Sequence, residues 1–248
     1  MSPRPTPITR RELLGRAVGA AASLVVSQSL LGCSAGAAAT TDTGASTNTA
    51  ACVLTAALTE GPYFVDEKLN RSDIRTDPTT GVVSQGVPLL LTFNVERLAN
   101  GACTPLSGAY LDVWHADAGG VYSDVTGAVG ERFLRGYQIT DADGIARFTT
   151  IYPGWYTGRA VHIHFKLRLF TGATETYEFT SQFFFDEART SAVHALSPYS
   201  SRGTRDTVNT SDGIYNSLTA AQKAALTLQA TPSGDGYAGA INLRVSIG

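Results

Sequence analysis

Short apolar runs separated by turn-forming residues recur from residue 88 onward, and this pattern predicts a protein built mainly from β-strands. Residues 89–95 are apolar at nearly every position. The run is too short for a helix, because Pro88 precedes it and an Asn-Gly turn at 100–101 follows it. Further strands are predicted over residues 110–114, 136–140, 146–151, 159–170, 176–185 and 240–247.

The connecting segments agree with this interpretation. Residues 66–86 are polar and interrupted by Gly and Pro, which indicates a long loop. Residues 141–144 (Asp-Ala-Asp-Gly) predict a hairpin turn rather than a calcium loop, which would need further carboxylates. A single helix is predicted over residues 219–229, since Thr219 and Gln222 have the spacing of a capping box. Strands at short intervals with one late helix favour a mainly β fold, a β-sandwich.

The first 33 residues are predicted to be a signal segment outside this fold. Residues 9–14 (Thr-Arg-Arg-Glu-Leu-Leu) form a twin-arginine pattern, and the apolar run at 17–32 is too short and too rich in Ala and Gly for a membrane span. Residues 30–33 (Leu-Leu-Gly-Cys) are similar to a lipoprotein cleavage box, in which Cys33 would become lipidated and tether the protein to a membrane. The alternative is an ordinary signal peptide with an incidental Cys33. We expect export by the twin-arginine route, to the cell surface or periplasm as a lipoprotein, or otherwise secretion.

Residues 34–50 lack apolar periodicity and predict a flexible tether, so the folded domain is expected over residues 51–248.

Charge and composition limit the possible partners. Removal of residues 1–32 takes away four Arg and one Glu, which leaves 15 basic and 20 acidic residues and a formal charge of −5. An acidic chain without a basic cluster is a poor nucleic-acid binder, so we expect no nucleic-acid partner.

Two cysteines, Cys52 and Cys103, remain once Cys33 is assigned to lipid. An even pair in an oxidising compartment predicts one disulfide, and the alternative is two free thiols.

Candidate chemistry centres on two histidines of one predicted strand. Side chains alternate along a strand, so His162 and His164 share a face and lie about 6.6 Å apart along it. Two imidazoles begin a metal site, and further ligands must come from other segments. Residues 118–123 (Ala-Gly-Gly-Val-Tyr-Ser) supply a plausible one in Tyr122, because consecutive glycines allow a tight backbone path.

Together with residues 153–156 (Pro-Gly-Trp-Tyr) and 159–164 (Arg-Ala-Val-His-Ile-His), residues 118–122 resemble the motifs of the intradiol ring-cleavage dioxygenases. These are non-haem iron(III) enzymes that open catechols between their two hydroxyls. Residues 60–64 (Glu-Gly-Pro-Tyr-Phe) are similar to a family segment that lies over the active-site mouth. The resemblance covers residues 55–247 and implies a transthyretin-like (prealbumin-like) sandwich as the catalytic domain.

The resemblance also implies the roles of individual residues. The expected ligands of a non-haem Fe(III) are Tyr122, Tyr156, His162 and His164. Tyr156 would give way to a catechol-type substrate and take up one of its protons. Arg159 would stabilise negative charge on the ring, with help from Gln182, while O2 is incorporated to give a cis,cis-muconate-type product. Phenolate suits this ion because free Tyr has a pKa of about 10 and ionises at neutral pH only beside a strong cation.

Two other interpretations stay open. Residues 141–156 also fit a metal-free transthyretin-like binding module at the cell surface. An enzyme with another metal, such as zinc, is less consistent with two Tyr ligands. His115 and His194 lie off the motifs and are expected to be structural or exposed. The oligomeric state and the native diol are left open.

Overall fold

Two five-stranded sheets form the framework of the protein in the computed structural model, which describes residues 52–247. The strands are β1 Pro88–Ala99, β2 Ala102–Pro105, β3 Tyr110–Trp114, β4 Arg135–Ile139, β5 Ile145–Ile151, β6 His162–Thr171, β7 Thr174–Phe185, β8 Thr227–Leu228, β9 Thr231–Ser233 and β10 Gly236–Val245. The expected signal segment (1–33) and tether (34–50) lie outside the described residues.

Each sheet is organised around one long strand. In the first sheet β1 pairs in parallel with β10 on one side and antiparallel with β5 and β2 on the other, and β9 extends the sheet beyond β10. The second sheet has the order β4-β3-β6-β7-β8, which places β6 at its centre. Hydrogen-bonded neighbours on both sides fix the register of β6 and therefore the positions of its two histidines.

The inner faces of the two sheets form one apolar core. Phe93 of the first sheet packs against Phe165 and Phe183 of the second, with ring centroids 5.6 and 5.9 Å apart. The alternate residues Leu89, Leu91, Phe93 and Val95 of β1 are all buried, as expected for a strand with one face in the core. The prediction of a mainly β-sandwich is confirmed.

The helices differ from the prediction of a single helix at 219–229. Within residues 52–247 there are three, α1 Glu187–His194, α2 Gly213–Asn216 and α3 Ala220–Ala225, and two 3₁₀ turns at Tyr199–Arg202 and Asn209–Ser211. The Thr219–Gln222 capping box starts α3 as predicted. This helix ends at Ala225 because the next residues become extended and pair with β7, where the Phe184 N–H donates to the Leu226 carbonyl.

Helix α1 has no clear apolar stripe, so hydrophobic periodicity does not reveal it. Its sequence signals are an Asp186 N-cap, an acidic first turn and His194 in the last turn. Such signals are common in turns and at helix ends, so they do not identify this helix from the sequence.

The strand predicted over residues 159–170 begins at His162 instead. The Ala160 N–H donates to the Asp212 carboxylate at 2.8 Å rather than to a neighbouring strand, so the hydrogen-bonded ladder starts only beyond it. Arg159 therefore lies in the connection before β6 and not on the strand itself. The other predicted strands are present with ends shifted by up to four residues.

Cys52 and Cys103 form a disulfide with a Cα–Cα distance of 5.9 Å, as predicted. Cys103 lies on the short strand β2. The bond joins the N-terminal arm to the edge of the first sheet. Within residues 52–247, no helix is long and apolar enough to cross a membrane.

We expect Cys103→Ser to lower the free energy of unfolding by about 4 kcal/mol, because the bond closes a loop of 51 residues in the unfolded chain. Denaturant titrations of the oxidised wild type and the variant measure this difference. Addition of a reductant should shift the wild-type midpoint to that of Cys103→Ser and leave the variant unchanged. Equal midpoints for the oxidised wild type and the variant would contradict the stabilising role.

Candidate metal centre

Four donor atoms meet at one end of β6. The Nε2 atom of His162 lies 3.0 Å from Nε2 of His164, 3.2 Å from the Tyr156 hydroxyl and 3.4 Å from the Tyr122 hydroxyl. The structure therefore brings together the four side chains that the sequence predicts as ligands. Arg159 and Gln182 lie beside this cluster and are hydrogen-bonded to each other.

Strand geometry explains the placement of the histidines and of Gln182. His162 and His164 are two residues apart on the same face of β6, and Gln182 of β7 lies directly opposite His164 in the register. On the other side Trp114 of β3 pairs with His164, and the two rings stack with centroids 5.0 Å apart and an interplanar angle of 6°. The His164 ring is thus held between two cross-strand neighbours.

The two tyrosines come from loops whose backbones touch. The Gly154 N–H donates to the Asp117 carbonyl at 2.9 Å. A Cβ at Gly154 would collide with the carbonyl oxygens of Asp117 and Ala118, and a Cβ at Gly120 would collide with that of Trp155. Gly120 also has φ +81°, in the left-handed region. Glycine in both motifs allows the close approach that brings Tyr122 and Tyr156 to the same point.

The histidines are neutral at physiological pH and present lone pairs. Burial lowers the pKa of His162 to about 3, and burial followed by the neighbouring His162 lowers the pKa of His164 well below its ordinary value. The Ala160 carbonyl can only accept, so His162 donates its Nδ1–H to it at 2.6 Å and keeps the lone pair on Nε2. Two imidazole Nε2 atoms 3.0 Å apart are stabilised by a proton or a cation between them.

The phenols are neutral for a related reason. Burial raises the pKa of Tyr122 well above its ordinary value, with a further contribution from Tyr156, and burial also raises the pKa of Tyr156. Ionisation of either hydroxyl therefore requires a local positive charge. Tyr122 is buried, whereas Tyr156 is only partly buried.

The segment of residues 60–64 lies against the cluster. The ring of Tyr63 stacks on Tyr122 with centroids 4.4 Å apart and meets Tyr156 edge-on at 5.9 Å. A cavity of about 150 Å³ opens between Tyr63, Tyr122 and Tyr156, with Val125 and Thr126 in its wall. This is about the volume at which buried protein cavities bind a benzene ring.

One carboxylate near the site was not predicted from the sequence. Asp212 is fully buried and accepts a hydrogen bond from Nε of Arg159 at 2.8 Å. Burial alone would raise the pKa of Asp212, but the N–H groups of Tyr215 and Ala160 together with Arg159 hold it below its ordinary value. The local sequence Ser-Asp-Gly resembles any turn or helix cap, so no sequence signal connects it with a site 53 residues away.

The remaining histidines are structural, in agreement with the sequence analysis. His115 is buried, with Nε2 2.6 Å from the Thr150 hydroxyl. His194 donates from Nε2 to the Pro153 carbonyl at 3.0 Å and so supports the loop of Tyr156 from behind. Tyr152 packs in the core, and Trp155 packs at its edge with Arg202 over its ring.

The cluster suits a metal ion that accepts both nitrogen and phenolate oxygen. First-row metals bind nitrogen and oxygen ligands at about 2.0–2.2 Å in well-characterised sites, so one ion can contact donors separated by the distances seen here. Nδ1 of His164 is buried without a hydrogen-bond partner among the described residues. The other ring nitrogen, Nε2, faces the cluster and is the atom that could coordinate a metal. In the part of the chain from 52 to 247, no group of three or more His, Cys, Asp or Glu side chains offers another metal site.

Comparison with known proteins agrees with this geometry. The family model Dioxygenase_C, described as a dioxygenase, matches residues 59–197. An intradiol ring-cleavage dioxygenase from Tetranychus urticae superposes with a TM-score of 0.66 at 29% identity, covering 79% of this chain and 95% of that one. The dioxygenase domain of a carbohydrate-binding fusion protein from Streptomyces sp. SirexAA-E gives a TM-score of 0.56 at 30% identity, covering 79% of this chain and 100% of that domain.

Curated sequences show the same relationship over shorter stretches. Catechol 1,2-dioxygenase 1 of Acinetobacter lwoffii is 29% identical over 149 residues, 50% of this chain and 44% of that protein. The matched stretches cover 33% to 44% of the curated relatives. The fold, the Tyr and His cluster and these matches together define a dioxygenase domain of the β-sandwich type. The chain belongs to the intradiol ring-cleavage dioxygenase family.

We expect Gly154→Ala to weaken metal binding and to destabilise the fold by roughly 1–3 kcal/mol, because the new methyl group forces the two tyrosine loops apart. Iron content after dialysis and a denaturant titration measure the two effects. Gly213→Ala is the matched control, since a Cβ there meets nothing within 4 Å. Unchanged iron content in Gly154→Ala would contradict the role of the backbone contact.

Proposed function

We propose that this enzyme is a non-haem iron(III) dioxygenase that cleaves catechol-type diols between their hydroxyls with O2, giving cis,cis-muconate-type products. The observation that carries the proposal is the convergence of the Tyr122 and Tyr156 hydroxyls and the His164 Nε2 atom within 3.4 Å of the His162 Nε2 atom. Family membership supplies the reaction class, and this cluster supplies a site at which the reaction could occur.

The donor set favours a ferric ion. Two phenolates are hard, anionic donors that reduce the charge of a trivalent ion, and two neutral imidazoles complete the protein ligands. Zinc sites favour Cys, His and carboxylate, so zinc fits two tyrosines less well. The chemistry that ferric iron supplies when bound is Lewis-acid activation of a chelated diol toward O2.

Tyr156 is the better placed of the two phenols to exchange with substrate. It is more exposed than Tyr122 and lines the cavity, and its oxygen can accept a proton from a diol hydroxyl as it leaves the cluster. Tyr122, buried under the ring of Tyr63, is the ligand that stays.

Arg159 and Gln182 supply fixed polarity beside the site. The Arg159 guanidinium donates to the Gln182 side-chain oxygen, and Gln182 itself donates to the Thr59 carbonyl at 3.3 Å. A positive charge held in this way requires little reorganisation when negative charge develops on a bound ring. Gln182 also connects the guanidinium to the segment that carries Tyr63.

Cavity size and the named activities of relatives indicate the substrate class. A volume of about 150 Å³ fits a single aromatic ring. Relatives are named catechol and chlorocatechol 1,2-dioxygenases, so one-ring diols are the first substrates to test. The alternative of a metal-free binding module is not favoured, because the family match spans both tyrosine loops and the histidine strand.

The direct test is aerobic incubation of the iron-loaded protein with catechol and with protocatechuate, following muconate absorbance and O2 uptake. We expect a red-brown protein, from tyrosinate-to-iron charge transfer, and one O2 consumed per diol. Tyr156→Phe and His162→Ala should lose most turnover while far-UV circular dichroism remains that of the wild type. A colourless, inactive wild type would contradict the proposal, and a yellow semialdehyde product would indicate the wrong position of cleavage.

We also propose that the protein is exported by the twin-arginine route and anchored through a lipidated Cys33. The support is the sequence of residues 9–33 alone. Replacement of Arg10 and Arg11 by Lys should retain the protein in the cytoplasm, as measured by cell fractionation. Cys33→Ser should abolish lipid attachment, as measured by mass, without blocking export. Normal export of the Lys variant would contradict the route.

A further inference from the structure

Asp212 is the N-cap residue of helix α2 and lies beside the active site, where it contacts Arg159. Its side chain is fully buried, and both carboxylate oxygens are used. One oxygen, Oδ1, accepts from the backbone N–H groups of Ile214 and Tyr215 at 2.8 and 2.9 Å. The other oxygen, Oδ2, accepts from Nε of Arg159 and from the Ala160 N–H, each at 2.8 Å.

Helix capping explains only half of these contacts. Asp186 caps the longer helix α1 through a single side-chain hydrogen bond, from the Arg189 N–H. Asp212 caps α2 with Oδ1, which leaves Oδ2 committed to two groups next to the histidine strand. A carboxylate whose only task was to cap a four-residue helix would not need to be fully buried against an arginine.

Both groups that donate hydrogen bonds to Oδ2 are connected to the Tyr and His cluster. Arg159 points its other guanidinium edge at Gln182, which lies opposite His164 in the sheet. Ala160, whose N–H is held by Asp212, presents its carbonyl to Nδ1 of His162 at 2.6 Å. Oδ2 therefore restrains both Arg159, which contacts Gln182, and Ala160, whose carbonyl orients the His162 ring.

We propose that Asp212 is a positioning residue of the active site, which fixes the direction of the Arg159 guanidinium and the backbone that orients the His162 ring. This role rests on the proposed ring-cleavage function. Partners behind a metal ligand set the tautomer and orientation of that ligand, and their replacement typically costs about 10- to 100-fold in metal affinity or activity. The Arg159 charge aids the reaction only if it is already directed at the position where negative charge develops.

Asp212→Asn distinguishes the roles of the two carboxylate oxygens. Asn is a good helix cap, so its oxygen can still accept from Ile214 and Tyr215. Its NH2 group then replaces Oδ2 and faces two N–H donors, which removes the acceptor for Arg159 and Ala160. The variant therefore tests the link to the active site while preserving the cap.

The first measurements need no bound metal and no turnover. In metal-free Asp212→Asn we expect hydrogen exchange at the Ala160 amide to accelerate about tenfold or more, since a hydrogen bond to a charged acceptor is lost. Labelling of Arg159 by phenylglyoxal, located by peptide mass spectrometry, should accelerate as well. Wild-type rates for both would overturn the proposal, whether or not the protein is a dioxygenase.

The kinetic measurements use the iron-loaded protein with catechol. We expect Asp212→Asn to lower kcat and kcat/KM together by about 10- to 100-fold, the pattern of an interaction made in the transition state. Asp186→Asn, which alters a cap away from the site, should keep the wild-type kcat. In an Arg159→Gln background most of the Asp212→Asn penalty in kcat should disappear, because the two residues act in series. A full, additive penalty would overturn action through Arg159.

Asp212→Ser provides the same comparison if Asp212→Asn does not fold, since Ser caps a helix but is too short to reach Arg159. An inactive, iron-free wild type would reject the ring-cleavage function, whereas the exchange and labelling rates would still decide whether Asp212 holds Arg159 and Ala160.

Discussion

The candidate metal centre depends on the burial of four uncharged donors that face one another. The Nε2 atom of His164 and two phenol oxygens lie within 3.4 Å of the Nε2 atom of His162, and burial keeps the imidazoles neutral and the phenols protonated. Such an arrangement is poorly stabilised by its own hydrogen bonds. A bound cation would satisfy the nitrogen lone pairs and ionise the phenols together, so the chemistry of the cluster favours a positive charge at its centre.

Two rigid features hold the donors in this position. Strand β6 is hydrogen-bonded on both sides, which fixes His162 and His164 on one face. The tyrosine loops are fixed by backbone contact at Gly120 and Gly154, where any side chain would separate them. The four donors thus come from regular structure on one side and from closely packed loops on the other. The neighbouring polar network of Arg159, Gln182 and Asp212 connects the loop before β6 to α2.

Much of this could be predicted from the sequence because the relevant signals are local. Alternation along β6 gives the shared face of the histidines, and the consecutive glycines before Tyr122 indicate a tight backbone path, whereas Tyr156, Arg159 and Gln182 are indicated by the family resemblance. What could not be predicted depends on contacts between distant segments. The strand predicted over residues 159–170 includes Arg159, whereas the hydrogen bond from Ala160 to Asp212 delays the start of the ladder. Helix α1 lacks an apolar stripe and is set by its cap, and Asp212 acquires its position only when the start of α2 meets the connection before β6.

The most direct test of the central claim is the location of the metal itself. Crystals of the iron-loaded protein, measured with anomalous diffraction at the iron absorption edge, should show one iron about 2 Å from the hydroxyls of Tyr122 and Tyr156 and from Nε2 of His162 and His164. An iron bound elsewhere, or bound without both tyrosines, would contradict the account.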